Sequence, residues 1–140
     1  MNRILIDTDV LLDLFFDRRP HADNAERILS LCASKAITGY ITPVIFSNLY
    51  YLLRRTASHR RVLARLRQLM SVLEILPMDK EVVQGAMEAG FTDLEDALQY
   101  AAALHSGYVD AIVTRNERDF RKSSLVVFTP KNYLTALDIN

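Results

Sequence analysis

The sequence is poor in cysteine, in glycine and proline, and in long hydrophobic runs. It has one cysteine, no tryptophan, four glycines and four prolines in 140 residues. The single cysteine, Cys32, excludes an intrachain disulfide and a cysteine-based zinc site, which fits a reducing cytoplasm. No apolar run approaches the roughly 20 residues that span a bilayer, and no signal-peptide pattern precedes the first strand. We therefore expect a cytoplasmic protein without membrane contact.

Acidic residues are missing from one continuous part of the chain. Between Arg27 and Leu73 there is no Asp or Glu, although the formal net charge of the whole sequence is zero. The basic residues of this segment are Arg27, Lys35, Arg54, Arg55, Arg60, Arg61, Arg65 and Arg67. This asymmetry predicts a basic surface beside an acidic one. A solvated helix face would give the same pattern.

Short apolar runs alternate with longer helical patterns, and no linker, repeat or low-complexity tract divides them. We therefore expect one domain over residues 1–140. The predicted strands are Ile4–Ile6, Tyr40–Ile41, Ile75–Leu76, Ala111–Val113 and Val126–Phe128. The predicted helices are Ala22–Ser34, Pro43–Arg54, Ser58–Leu73, Lys80–Ala89, Asp93–Ser106 and Lys131–Leu137, the last begun by Pro130. This alternation predicts an α/β protein with a parallel sheet covered by helices on both faces.

Polar side chains follow two of the predicted strands. Asp7 and Asp9 come directly after the first strand, and Asn116 and Asp119 follow the fourth. In open parallel sheets, ligands bind beyond the carboxyl ends of the strands. If the two strands are neighbours, these residues share one cleft. Helix capping is the ordinary alternative for Asp7 and for Asn116.

The stretch "FTDLEDALQYAAALH" places further acids at the start of a predicted helix. Asp93 stands just before the helix and fits an N-cap, and acids are common in a first helical turn. Asp96 lies beside a stripe of small residues that begins with Ala97 and should pack closely on the sheet. We therefore expect the side chain of Asp96 to point towards the cleft.

Several carboxylates at one sheet edge repel one another and stay ionised together only with a cation among them. The three histidines, His21, His59 and His105, are scattered along the chain, so the ligands would be oxygen atoms. Oxygen ligands suit Mg²⁺ or Mn²⁺. These ions support the attack of water on a phosphoryl group. The acids therefore predict hydrolysis of phosphodiester bonds.

Four motifs in order, "LIDTDVLLD", "ITPVIFSNLYYLLR", "DLEDALQYAAAL" and "IVTRNERDF", resemble those of the PIN domain family, including its VapC-type toxin ribonucleases. The resemblance spans nearly the whole chain. It implies a three-layer α/β/α fold whose central parallel sheet has five strands in the order 3-2-1-4-5. It also implies a ribonuclease that depends on Mg²⁺ or Mn²⁺ and is the toxin of a toxin–antitoxin pair. Its implied partners are an RNA substrate, a small antitoxin protein and a second copy of the chain in a homodimer.

The resemblance assigns the site residue by residue. Asp7, Asp96 and Asp119 match the family's metal-binding and catalytic acids, and Asn116 belongs to the closing T-x-N-x-x-D element. A water would be the nucleophile, with a carboxylate that orients or deprotonates it. Asp93 and Glu95 are supporting candidates.

Two positions depart from the usual family pattern. Many members carry a Glu in the helix after the second strand, where this sequence has Asn48. Asn is neutral and is a poorer metal ligand than Glu. Asp93 or Glu95 would compensate for the missing charge. A branch of the family shares Asn at this position. The family often has Asn at the position of Asp9. An Asp there would either cap the following helix or add to the site, and we favour the cap.

Aromatic and basic residues follow Asn48 on the same predicted helix. The guanidinium groups of Arg54 and Arg55 fit phosphate binding, and the rings of Tyr50 and Tyr51 fit base stacking. Packing in the core or in a dimer interface is the ordinary alternative for the tyrosines. Arg115, after the fourth strand, is a further RNA-binding candidate.

Three other protein classes share parts of this pattern. A phosphatase of the haloacid dehalogenase type begins with D-x-D, but "VLLDL" follows here where a small turn is expected. A receiver domain would need its phosphorylated aspartate at Asp79 and a lysine at Lys131, which leaves the N-terminal acids misplaced. A PIN-like module that binds RNA or protein with weak or no catalysis is the main alternative, because Asn48 removes one acid.

Overall fold

The computed structural model describes residues 1–139 and contains a parallel sheet of five strands in the order β3-β2-β1-β4-β5. The strands are β1 (Arg3–Ile6), β2 (Thr38–Ile41), β3 (Leu73–Ile75), β4 (Ala111–Val113) and β5 (Val126–Phe128). The helices are α1 (Thr8–Phe15), α2 (His21–Ala33), α3 (Pro43–Leu53), α4 (His59–Met70), α5 (Lys80–Glu88), α6 (Leu94–Ser106) and α7 (Pro130–Ile139). A short 3-10 helix, Glu117–Phe120, follows β4. The three-layer α/β/α fold and the strand order agree with the prediction.

Strands β1 and β4 lie side by side in the centre of the sheet. Leu5 pairs with Ile112, and Ile6 pairs with Val113. The backbone N–H of Asp7 extends this pairing by donating to the carbonyl oxygen of Val113 at 3.0 Å. The residues that follow the two strands are therefore neighbours, as the candidate cleft requires.

The central strands are apolar without alternation, because helices cover both faces of the sheet. Ile4 to Ile6 and Ala111 to Val113 are fully buried. Gly39 in β2 lies where three side chains meet. A Cβ atom at Gly39 would lie 2.7 Å from Leu73 Cδ2, 2.8 Å from Cys32 Sγ and 2.9 Å from Ile6 Cδ1. The missing side chain thus leaves the space in which side chains of α2, β1 and β3 meet over β2.

The largest error in the predicted element boundaries lies between α4 and β3, and β2 also begins earlier than predicted, at Thr38 instead of Tyr40. The predicted helix Ser58–Leu73 ends at Met70, and β3 begins at Leu73 instead of Ile75. Apolar residues continue at helical spacing through Leu73, so periodicity alone extends the helix too far. Ser71 is the C-cap of α4, and its hydroxyl donates to the carbonyl oxygen of Gln68 at 2.6 Å. The cap favoured for Asp9 implies a helix after β1, but no bounds were predicted for this helix, which is α1.

In the described part of the chain, residues 1–139, no helix combines the length and hydropathy needed to cross a membrane.

Candidate active site

Asp7 ends β1 and begins α1, and both of its carboxylate oxygens have partners. Oδ1 accepts a hydrogen bond from the backbone N–H of Thr8 at 2.8 Å. Oδ2 accepts one from the hydroxyl of Thr114 at 2.7 Å, across the β1–β4 pairing. The side chain is only 6% exposed. These two bonds offset part of the cost of burying the carboxylate.

Asp9 lies one residue inside the first turn of α1 and does not cap it. The cap predicted for Asp9 is supplied by Asp7, because Asp7 is the residue in extended conformation before the helix. Oδ2 of Asp9 instead accepts from the backbone N–H of Arg115 at 3.1 Å. Burial raises the pKa of Asp9, and the hydrogen bond and the charge of Arg115 oppose this increase. Asp9 therefore joins α1 to the end of β4.

Asp13, in α1, is a third carboxylate that contacts the segment after β4. Its side chain is 1% exposed and accepts from Nε of Arg115 at 2.6 Å and from Nη2 at 3.1 Å. Nη1 of Arg18 lies 3.7 Å from Oδ1 of Asp13. The guanidinium predicted to bind RNA is thus engaged by a buried carboxylate.

Asp96 lies in the first turn of α6 and lines the cleft above β1. Asp93 caps this helix, as predicted, by accepting from the backbone N–H of Asp96 at 3.0 Å. Burial raises the pKa of Asp96 to about 7, and the negative charges of Asp7, Asp93, Asp119 and Glu95 add to the increase.

The pKa of Asp7 is also raised to about 7. Burial is the largest cause, followed by the negative charge of Asp9. The hydrogen bonds from Thr114 and Thr8 lower the pKa, and the charge of Asp119 raises it. The fold therefore holds carboxylates from three chain segments close enough to oppose one another's ionisation.

Asp119 lies on the short 3-10 helix and is exposed. Its charge acts on both Asp7 and Asp96. However, its side chain lines a smaller neighbouring pocket instead of the cleft that Asp7 and Asp96 line. Asn116 lines the main cleft, and its backbone N–H donates to Thr114 Oγ1 at 3.0 Å. The side chain of Asn116 makes no capping hydrogen bond to the 3-10 helix.

The main cleft has a volume of about 490 Å³. Its lining residues are Asp7, Thr8, Asp9, Leu12, Asn48, Tyr51, Leu52, Arg55, Glu95, Asp96, Gln99 and Asn116. Asn48 of α3 donates from its amide nitrogen to Oε1 of Glu95. The neutral residue at the predicted second-acid position is therefore paired with an acid of α6.

Three buried oxygens of cleft residues have no hydrogen-bond partner among residues 1–139. They are Oγ1 of Thr8, Oδ1 of Asp9 and Oε1 of Gln99. Buried oxygens without partners are costly, and together with the carboxylates they make an all-oxygen donor set. Such a set fits a hard divalent cation such as Mg²⁺ or Mn²⁺.

The other RNA-binding candidates fall into two groups. Tyr51, 68% exposed, and Arg55 line the cleft wall formed by α3. Tyr50 and Arg54 lie outside that lining: the hydroxyl of Tyr50 is 2.8 Å from Nδ1 of His59, and Arg54 donates to the carbonyl oxygen of Ala57. Tyr51 belongs to α3, and Arg55 belongs to the turn that follows the helix.

Sequence reasoning missed four residues that shape the site: Thr8, Asp13, Gln99 and Thr114. Thr114 looks like one more β-branched strand residue, and Asp13 like an exposed acid on a surface helix. The sequence does show that polar residues directly follow both β1 and β4. This pattern predicts contacts between the two segments, but it does not predict which atoms form them.

The sheet order and the carboxylates at the ends of its central strands define a class of protein. The sequence pattern of the PIN domain matches residues 3–118. The chain therefore belongs to the PIN domain family. Ribonuclease VapC1 of Aquifex aeolicus (strain VF5) is 24% identical over 136 residues, which cover 94% of this chain and 92% of that protein.

Solved structures share the fold at low sequence identity. A chain of DNA-bound VapBC from Salmonella typhimurium superposes with a TM-score of 0.70 and 18% identity, covering 91% of this chain and 97% of that one. VapC20 of Mycobacterium tuberculosis, described as a toxin that cleaves the sarcin-ricin loop, gives a TM-score of 0.60 and 20% identity, covering 78% and 86%. These similarities agree with the strand order observed here.

Proposed function

We propose that the chain, as one PIN domain over residues 1–140, is a divalent-metal-dependent endoribonuclease and the toxin of a toxin–antitoxin pair. One observation carries the proposal: Asp7, Asp96 and Asp119 come from three distant segments and act electrostatically on one another at the carboxyl edge of the sheet. The ribonuclease name of the Aquifex aeolicus relative and the cleavage activity named for VapC20 support it.

The residues proposed to hold Mg²⁺ or Mn²⁺ are Asp7, Asp96 and Asp119. The all-oxygen donor set and the raised pKa values of Asp7 and Asp96 support this assignment. Burial and the neighbouring carboxylates raise these pKa values, and a bound cation would stabilise the ionised forms against both effects. When bound, a divalent cation supplies positive charge for the phosphoryl oxygens and lowers the pKa of the attacking water. Asp7 needs a fixed orientation for this role, and the bonds from Thr8 and Thr114 provide it.

The remaining cleft residues have supporting roles in the proposal. Asp96 orients the attacking water, since it lines the same cleft as Asp7. Arg55 binds a phosphate, and the exposed ring of Tyr51 stacks on a base. Asn48 takes the place of the second acid, as in the Asn-containing branch, and its hydrogen bond keeps Glu95 at the cleft wall.

The partners of the proposed toxin are an RNA, a small antitoxin protein and a second copy of the chain. Solved relatives are complexes of the VapBC type, one of them a toxin–antitoxin complex from Klebsiella pneumoniae, which supports the antitoxin. The homodimer and the cytoplasmic location rest on the family resemblance and on the single cysteine.

A PIN-like binding module without catalysis is the second candidate. The neutral side chain of Asn48 favours it, because fewer negative charges in the cleft weaken cation binding. Such a module would bind RNA or protein through the same cleft and show affinity without turnover.

The test is cleavage of a structured RNA pool by the purified protein with Mg²⁺, Mn²⁺ or EDTA. Asp96→Asn removes a proposed ligand, whereas Asp138→Asn makes the same chemical change at an exposed acid of α7. We expect cleavage that requires a cation, disappears in Asp96→Asn and persists in Asp138→Asn. RNA binding without cleavage by the folded wild-type protein in every cation would replace this proposal with the binding module.

A further inference from the structure

A small basic pocket adjoins the acidic cleft on the side of Asp119. Its volume is about 110 Å³, and Asp119 belongs to its wall. Its lining residues are Gly90, Phe91, Thr92, Arg118, Asp119, Arg121 and Lys122. Three of these side chains carry positive charge and one carries negative charge. The pocket is therefore a positive site directly beside an acid whose charge reaches Asp7 and Asp96.

The three cations are not used for internal ion pairs. Across residues 1–139, no salt bridge or side-chain hydrogen bond involves Arg118, Arg121 or Lys122. Arg27 and Arg115, in contrast, each pair with an aspartate. Cations that are grouped around a cavity and lack carboxylate partners leave a positive potential there.

Aromatic packing fixes both walls of the basic pocket. Phe120 is 1% exposed and anchors the 3-10 helix in the core. The ring of Phe91 stacks on Tyr100 with centroids 4.9 Å apart and meets the ring of Phe120 edge-on at 5.9 Å. The hydroxyl of Tyr100 lies 2.9 Å from Oγ of Ser124, which ties the loop after the 3-10 helix to α6. The segments that carry the cations are thus attached to the core.

Gly90 forms the floor beneath Lys122. Its φ of +77° belongs to the left-handed region that favours glycine. A Cβ at this position would lie 3.6 Å from Nζ of Lys122. The ammonium group therefore lies directly over the exposed backbone of Gly90, at the pocket.

We propose that this pocket binds a backbone phosphate of the RNA, next to the phosphate that is cut. The inference rests on the proposed ribonuclease function and names a contact for it. A volume of about 110 Å³ holds a few water molecules at about 30 Å³ each, which is room for a phosphate group. Phosphate oxygens find charged donors in guanidinium and ammonium groups.

The position of the pocket favours a nucleic acid strand as its occupant. The carboxylates of the cleft repel the RNA backbone, so a strand that crosses them needs cations on both sides. Arg55 supplies one on the α3 wall. Arg118, Arg121 and Lys122 supply the others beyond Asp119. The strand would therefore run from α3, across the acids, to the 3-10 helix.

The test measures RNA affinity in the Asp96→Asn background, so that cleavage does not interfere. Arg121→Gln with Lys122→Gln removes two pocket charges from exposed side chains. Lys80→Gln with Lys131→Gln removes two charges from exposed residues at the starts of α5 and α7 and serves as the matched control. Fluorescence anisotropy with a labelled single-stranded RNA over a range of salt concentrations gives Kd and its salt dependence for both variants.

We expect the pocket variant to bind RNA about tenfold more weakly than the control. The slope of log Kd against the logarithm of the salt concentration should fall by about 1.4, because two phosphate contacts with a single strand are lost. In the active background, KM should rise while kcat is kept. Equal affinity and slope in the two variants, or no RNA binding by the parent protein, would overturn the phosphate site.

The outcomes separate this inference from the proposed function. If the wild-type protein cleaves RNA and the pocket and control variants bind RNA equally well, the ribonuclease function stands and the phosphate site in the pocket is rejected. If the pocket variant binds RNA more weakly than the control but the wild-type protein does not cleave RNA, the phosphate site stands and the ribonuclease function is rejected. Unchanged RNA affinity with weakened binding of an acidic protein partner would assign the pocket to that partner and overturn the phosphate site.

Discussion

Arg115 and Asp13 form a two-bond ion pair across the interface between β4 and α1, with Nε and Nη2 of the arginine 2.6 and 3.1 Å from the two carboxylate oxygens. The backbone N–H of Arg115 also donates to Asp9, and the preceding hydroxyl of Thr114 donates to Asp7. The carboxylates of Asp7, which caps α1, and of Asp9 and Asp13 within α1 therefore bind neighbouring groups of one short segment, Thr114–Arg115. The orientation of Asp7 in the proposed site depends on this attachment.

Asp13→Asn should lower the free energy of unfolding by roughly 1–3 kcal/mol, because it removes the charge of a buried carboxylate that binds the partly exposed guanidinium of Arg115. Asp138→Asn is the control, since the pair of Asp138 with Arg27 is exposed and contributes less than about 1 kcal/mol. Urea unfolding of both variants measures the difference. Equal stability of the two variants would show that the buried pair contributes no more than the exposed one.

Asn48→Glu should make cation binding tighter and the cation-free protein less stable. The new carboxylate would face Glu95, to which Asn48 now donates, and the repulsion is relieved when a cation binds. Calorimetric titration with Mn²⁺, together with thermal unfolding in EDTA, measures both effects. Asn48→Gln keeps an amide in the same place and serves as the control. Unchanged Mn²⁺ affinity in Asn48→Glu would place residue 48 outside the cation site.

The cation-free protein should lose stability as pH rises from about 4 to about 7. The pKa of Asp7 is 3.8 when unperturbed and about 7 in the folded protein, so the folded state holds a proton in this window that the unfolded state has released. Each unit of pKa difference corresponds to about 1.4 kcal/mol. The titration of Asp7 can therefore lower the free energy of unfolding by up to about 4 kcal/mol. Asp96 changes stability in the same direction.

Urea unfolding in EDTA at pH 5 and pH 8 tests the pH dependence, with Asp7→Asn as the control variant. The amide of this variant does not titrate, and the hydroxyl of Thr114 can rotate to accept a hydrogen bond from it. The wild-type protein should lose more stability than Asp7→Asn between the two pH values, and Mg²⁺ should reduce the loss. Parallel behaviour of the two proteins would contradict the raised pKa.

Two glycines should respond oppositely to alanine. Gly39→Ala places a Cβ within 3 Å of three core side chains and should cost roughly 1–3 kcal/mol. At Gly85, inside α5, the nearest atom to a new Cβ is 3.9 Å away, so Gly85→Ala should stabilise the protein by about 0.5–1 kcal/mol through helix propensity. Thermal unfolding distinguishes the two. A Gly39→Ala protein as stable as the wild type would mean that α2 can move away from the sheet without cost.

The layered α/β arrangement was predictable because it depends on patterns of many residues. Buried strands such as β4 are short apolar runs, and helices such as α6 show regular apolar spacing, so errors at single positions do not change the result. The bounds of α1 were not predicted, because its apolar residues follow β1 almost directly and their spacing does not change clearly from strand to helix. The boundary between α4 and β3 was misplaced for the same reason.

The candidate site was predictable only in part, because its details depend on single atoms. The positions of Asp7 and Asp119 after neighbouring strands follow from topology. The pairing of Thr114 with Asp7 depends on strand register, and the pairing of Asp13 with Arg115 depends on side-chain conformations. Neither is visible in a single sequence. The capping role went to Asp7 instead of Asp9 because one residue of difference decides which carboxylate reaches the first free N–H groups of the helix.

The bond between Thr114 and Asp7 joins residues that lie 107 positions apart in the chain, and it has a consequence for protein synthesis. Because β4 lies between β1 and β5, the central strand Arg3–Ile6 has no neighbour on one side until the segment after α6 has been translated. Until then Asp7 lacks its Thr114 partner, and Asp119 does not exist. A nascent chain that has not yet reached Asp119 therefore cannot assemble the proposed cation site, whatever length of β1 and α1 has already folded.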